Sequence, residues 1–137
     1  MRAHLSVITL AVEDLQRALE FYRDGLGLAT EGIIGQEFEQ GAVVFFELQA
    51  GLKLALWSKH SLQQDIGFAP AEQGSAQITL GHNVHSPLEV DQVLKQAQNA
   101  GAKILKPAQS TFYGGYAGYF QDLDGHIWEV AYSPCWD

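Results

Sequence analysis

Val7-Ile8-Thr9-Leu10 returns 70 positions later as Gln77-Ile78-Thr79-Leu80, and each copy leads into a helix-forming stretch and then into strands broken by glycine. The chain reads as one half written twice. A second match sets Phe46-x4-Gly51 against Phe120-x4-Gly125, 74 positions apart, and brings Lys53-Leu54-Ala55-Leu56-Trp57 beside Ile127-Trp128-Glu129-Val130-Ala131. Alternate residues of a strand point to opposite faces, so the repeat nominates four inward equivalents on four strands: Val7, Ala55, Gln77 and Glu129. Only one of them is a carboxylate.

Working outward from the first copy, residues 5–12 are apolar and β-branched and stop at Glu13-Asp14, where Asp14 suits the cap of a helix. From Asp14 to Gly25, Leu15, Ala18, Leu19, Phe21, Tyr22 and Leu26 recur at spacings of three and four, the pattern of a surface helix that Gly25 and Gly27 end. Strands are expected over 28–34, 41–48 and 52–58, the last two joined by a turn at Gln49-Ala50-Gly51. Residues 59–74 carry weak periodicity and turn-forming types, which predicts a connection between halves.

The second half repeats the order with a strand over 75–83, a helix over 87–100 closed by Gly101, and strands over 103–105, 116–121 and 126–132. Asp122-Leu123-Asp124-Gly125 is a tight hairpin turn, since Gly accepts the positive φ such turns impose. The fold class is therefore α+β: two tandem βαβββ modules, about 4–58 and 75–133, joined at about 59–74. One helix cannot cover both faces of its sheet, so pairing of the halves is expected.

Length and charge narrow the function classes. A chain of 137 residues buries an adequate core without disulfides or metal, and 47% apolar with 18% charged residues is an ordinary globular balance. Eight basic against sixteen acidic residues leave a net charge of −8, the wrong sign for gripping phosphate backbones, so neither nucleic acid nor an anionic membrane surface is expected as a partner. No apolar run reaches the roughly 18 residues of a membrane span. Met1-Arg2-Ala3-His4 leads straight into a strand pattern without a secretory signal, and the single Cys135 cannot form an internal disulfide; a cytoplasmic protein is expected.

Val12-Glu13-Asp14-Leu15 followed by Phe21-Tyr22-Arg23-Asp24-Gly25-Leu26-Gly27-Leu28, and then Phe120-Gln121-Asp122-Leu123-Asp124-Gly125-His126-Ile127-Trp128-Glu129-Val130, span nearly the whole chain in order. On these motifs the sequence resembles the vicinal oxygen chelate superfamily, which includes glyoxalase I, extradiol dioxygenases, fosfomycin-resistance enzymes and bleomycin-resistance proteins. The resemblance implies paired βαβββ modules whose curved mixed sheets form an open cleft, often completed by homodimerisation. It also implies a divalent metal held from the strands that carry Val7, Ala55 or a near neighbour, Gln77 and Glu129, normally by His, Glu or Gln. Here Val7 ligates nothing, and neither do Leu54, Ala55 or Leu56. Gln77 and Glu129 remain as weak metal candidates, short of the three or so protein ligands of a catalytic site. No cofactor is therefore expected.

Glu129 is the candidate catalytic residue. A carboxylate on an inward strand between Ile127 and Ala131 suits a general base, a general acid or an acceptor for a ligand; the alternative is an inherited acid at a wet cleft mouth, bonded to Gln77 or a backbone amide. Thr9, Gln77 and Trp57 are candidate ligand-binding residues on the same faces, with core packing or plain sheet filling as the competing roles. Tyr113 and Tyr116 are candidates from the glycine-rich aromatic stretch Thr111–Phe120. The five histidines show no metal-ligand spacing, and no serine triad or phosphate-binding loop is present. These residues predict a homodimer that binds a small organic molecule without a tightly held metal, whether or not it catalyses a reaction. The rivals are a divalent-metal-dependent lyase, isomerase or dioxygenase, and an antibiotic-sequestering protein for a flat cationic ligand.

Overall fold

The computed structural model describes residues 1–67 and 78–135. It divides into two compact units, Met1–Glu72 and Gln73–Asp137. Unit 1 runs β1 (Val7–Val12), α1 (Leu15–Glu20), β2 (Thr30–Ile34), β3 (Val43–Glu47), β4 (Lys53–Ser58) and α2 (Lys59–Ile66). Its sheet has the order β1-β4-β3-β2, with β1 parallel to β4 and the other pairs antiparallel. Unit 2 runs β5 (Thr79–Asn83), α3 (Pro87–Asn99), β6 (Lys103–Ser110), β7 (Tyr116–Gln121) and β8 (Ile127–Tyr132), in the order β5-β8-β7-β6 with β5 parallel to β8. Both units are the expected βαβββ arrangement.

In unit 1 the Asp14 carboxylate accepts from the Arg17 amide at 3.0 Å and starts α1, which widens into a π-helical turn over Phe21–Gly25. The apolar spacing read from the sequence is the buried stripe: Ala18, Leu19, Phe21 and Tyr22 are buried, as are Val44, Phe46, Leu54 and Leu56 on the strands that α1 meets. Tyr22 and Phe46 bring their rings to 5.9 Å. Each of these large side chains contributes roughly 1.5–3 kcal/mol by leaving water. Because α1 covers the even-numbered face of β3 and β4, the odd-numbered residues Val43, Phe45, Ala55 and Trp57 are left on the other face.

Unit 2 repeats the logic. Ser86 accepts from the Glu89 amide at 3.2 Å, Pro87 takes the first helical position, and Val90, Leu94 and Ala97 are buried along α3. Phe120 and Val130 are buried on the strands that α3 packs against, and Trp128 stacks on Phe120 at 6.0 Å and 6°. The hairpin turn is held by Asp122, whose buried carboxylate accepts from the amides of Asp124 at 2.9 Å and His126 at 2.8 Å. Gly125 there has φ 91°, as a tight turn requires.

Three expectations change. Of the connection placed at 59–74, residues 59–66 are a helix, capped by Ser58 accepting from the Ser61 amide and closed by Gly67 at φ 82°. Its mostly polar residues hid the period. β6 runs to Ser110 instead of ending at Leu105, because Pro107 lies on the sheet's edge strand, where a missing N–H breaks no second ladder and register shifts absorb it. The repeat of the first strands is also displaced. Val7 pairs with Lys53 and Thr79 with Ile127, so β1 and β5 correspond at 72 positions, not 70, while β4 and β8 keep 74. The ladder equivalent of Val7 is thus Thr79. Among the described residues no helix is long and apolar enough to cross a membrane.

Candidate functional site

The corrected register sets one cross-strand row of unit 1, Thr9–Ala55–Phe45, against one row of unit 2, Gly81–Glu129–Tyr119. The two copies differ at all three positions, with Thr9 answered by Gly81. Alanine and phenylalanine in the first become a carboxylate and a phenol in the second.

In unit 1 the face away from α1 carries a recess of about 310 Å³. Val7 and Thr9 of β1, Val43 and Phe45 of β3, and Ala55 and Trp57 of β4 line it, with Gln40 and Gly41 closing one side. The structure therefore brings Thr9 and Trp57 together, along with the two positions, Val7 and Ala55, that carry no ligand atoms. Trp57 is held by its indole N–H, which donates to the Gln40 carbonyl at 3.0 Å, so its ring face is free to line the recess. Gln40 sits at φ 56°, a left-handed conformation that disfavours any residue with a side chain. Its side-chain oxygen accepts from the Ser61 hydroxyl at 2.6 Å, and that hydroxyl accepts from Ser58 at 2.9 Å. Lys53 lies 5.8 Å from the Phe45 ring and pairs with Glu47 at 3.3 Å, so the charge beside Phe45 is compensated. Gln40, Gly41, Val43 and Phe45 were not singled out in the sequence; strand phase reaches Val43 and Phe45, but nothing local marks Gln40.

In unit 2 the face of β8 away from α3 carries Glu129. The Tyr119 hydroxyl donates to its Oε2 at 2.7 Å, and both residues are half-buried. This bond holds the Tyr119 phenol above its usual value; burial and the Glu129 charge push the same way, and Tyr113 adds a smaller contribution. Tyr113 is exposed and packed edge-on against Phe112 at 5.3 Å. Tyr116 is elsewhere. It projects to the α3 side of β7, where its hydroxyl donates to Asp91 at 2.8 Å, because residues 116 and 119 have opposite phase on one strand. That bond raises the Tyr116 phenol as well. Gln77 lies outside the described residues. Among the described residues Glu129 is bonded to Tyr119 and to no backbone amide. Counting outward from a four-residue turn at Asp122–Gly125 pairs Tyr119 with Trp128; the structure sets Asp122 opposite His126, which shifts Tyr119 onto Glu129.

Among the described residues, donors for a divalent ion are few. Val7 and Ala55 have no donor atoms, Glu129 is engaged by a phenol, and among the described residues no group of three His, Cys, Asp or Glu side chains is placed to hold one.

The two βαβββ units, their topology and the aligned strand faces define a class, and a family model bears it out: the Glyoxalase/Bleomycin resistance protein/Dioxygenase superfamily matches residues 4–130, and the chain belongs to it. Among solved structures, a glyoxalase-related enzyme from Fulvimarina pelagi is 34% identical, with a TM-score of 0.85 over 99% of this chain and 92% of that one. A genomically encoded fosfomycin resistance protein, FosX, from Listeria monocytogenes is 25% identical, with a TM-score of 0.71 over 98% and 97%. A glyoxalase/bleomycin resistance protein/dioxygenase from Nocardioides, 24% identical with a TM-score of 0.74 over 96% and 84%, shares the fold. Compared with curated proteins, the chain matches none.

Proposed function

We propose that this protein is a cytoplasmic, homodimeric member of the superfamily that binds a small organic molecule without a tightly held catalytic metal. The observation that carries the reading is the recess of unit 1, where Val7 and Ala55, at strand positions the family resemblance assigns to metal ligands, serve as apolar lining. An apolar concavity with a few polar groups is what a ligand site needs, and a divalent ion needs the reverse. Glu129 supplies a polar anchor or proton acceptor on the open face of unit 2, steadied by Tyr119.

Elemental analysis of the purified protein tests this, together with thermal melting in the presence of Zn²⁺, Ni²⁺, Mn²⁺ and Fe²⁺. Metal far below one equivalent per chain and an unchanged melting temperature are expected. Near-stoichiometric metal, or a metal-induced rise that Glu129→Gln removes, overturns the reading, since an ion that binds the folded state must stabilise it.

A further inference from the structure

We propose that the recess of unit 1 is a subsite for an uncharged one- or two-ring molecule that presents a hydrogen-bond acceptor, such as a ring carbonyl, to the side-chain amide of Gln40. This rests on the small-molecule reading above and adds the chemistry of the ligand. Size sets the first limit: about 310 Å³ is at the small end for ligand sites. Shape sets the second. Trp57 and Phe45 offer ring faces and edges beside a floor kept low by Ala55, an arrangement that favours a flat, π-bearing guest. Charge sets the third, because no lining residue is ionisable and the neighbouring Lys53 and Glu47 pair with each other. An ion placed here loses its hydration without gaining a counter-charge.

Gln40 supplies the direction. Its main-chain carbonyl accepts from Trp57 and its side-chain carbonyl accepts from Ser61, which is itself buried and bonded to the cap of α2. Each carbonyl already accepts one bond, and the two N–H groups of the amide are the donors that Gln40 can offer the recess it lines. The left-handed backbone at this residue is held by the same two bonds, which fix the amide before a ligand arrives. A donor fixed in an apolar recess selects an acceptor. The flat cationic ligand of the sequestration reading finds no carboxylate there.

The test uses four matched probes, 1-indanone, indane, 1-aminoindane and indane-1-carboxylate, titrated into the full-length protein while the indole N–H resonance of Trp57 is followed by NMR, assigned with Trp57→Phe. For a guest of this size a Kd on the order of 1 mM is expected for indanone. Indane should bind about five-fold more weakly through loss of one neutral hydrogen bond, and either charged probe about ten-fold or more weakly. Gln40→Met should make indanone and indane equal. Gln40→Asn, which tolerates the left-handed backbone, should do the same by withdrawing the donor, and guards against a folding defect in the first variant. Equal binding of indane and indanone to the wild type, or preference for either ion, overturns the ligand class and leaves the function proposed above standing. A Trp57 resonance that none of the four probes moves overturns the subsite. The parent reading fails separately, on metal content.

Discussion

Replacing Tyr119 by Phe removes one hydroxyl and nothing else from the Glu129 pair, which makes the bond between them measurable. The contact is 2.7 Å long, from a phenol to a carboxylate. A buried charge-assisted bond of that kind contributes about 1.5–3 kcal/mol, and with both partners only half-buried solvent screening brings the expected value to about 1 kcal/mol. In a domain of this length that lowers the melting temperature by about 4 °C. Glu129→Gln should cost a similar amount. In a double-mutant cycle read by urea unfolding, the two single variants and the double variant should give a coupling of about 1 kcal/mol at neutral pH. The pH dependence carries a definite sign. The phenol is raised in the folded state, so its contribution is fully present below the unfolded value of about 10 and is lost as pH rises through the folded value. Wild type should therefore lose stability above about pH 10 more steeply than Tyr119→Phe. A coupling below about 0.3 kcal/mol, or identical alkaline profiles for the two proteins, refutes the pairing.

Two further predictions concern what holds unit 2 in register. Asp122→Ala strips the acceptor from two amides beneath the hairpin turn and should cost about 2 kcal/mol in urea unfolding, with Asp122→Asn recovering part of it. Gly118→Val places a Cβ 2.7 Å from Leu94 Cδ1 and 2.9 Å from the backbone of Ala108 and Lys106, so it should cost about 1–3 kcal/mol; a loss under about 0.5 kcal/mol argues against close packing of α3 over β7.

Much of the fold was legible because its signals are local. The caps at Asp14, the apolar spacing of α1 and α3, and the Asp122–Gly125 turn are each set by residues within a few positions of one another, and each stands where expected. The helix at 59–66 was missed because its residues are mostly polar, and a helix packed by few apolar contacts leaves little periodic trace. The one-row error in the repeat has a different cause. Likeness between Val7–Leu10 and Gln77–Leu80 reports a shared taste for β-branched residues, whereas register is fixed by ladder hydrogen bonds and by the lengths of the turns between strands. An even-numbered slip keeps every residue on its face, so the displaced match of β1 to β5 leaves the side of the sheet on which Thr9 stands unchanged, and Ala55, Trp57 and Glu129 lie on β4 and β8, whose match at 74 positions holds.

By itself the sequence determined the duplicated βαβββ plan, the side of the sheet on which Glu129 stands, and the absence of ligand atoms at Val7 and Ala55, since strand alternation and side-chain chemistry need no coordinates. Only the tertiary structure decided who meets whom. It gave Glu129 to Tyr119, turned Tyr116 away to Asp91, and closed the apolar recess with Gln40, a residue whose role comes from a left-handed bend and from bonds to Trp57 and Ser61. Those contacts join residues ten or more positions apart through turns and helix placement, and chain periodicity does not encode that geometry.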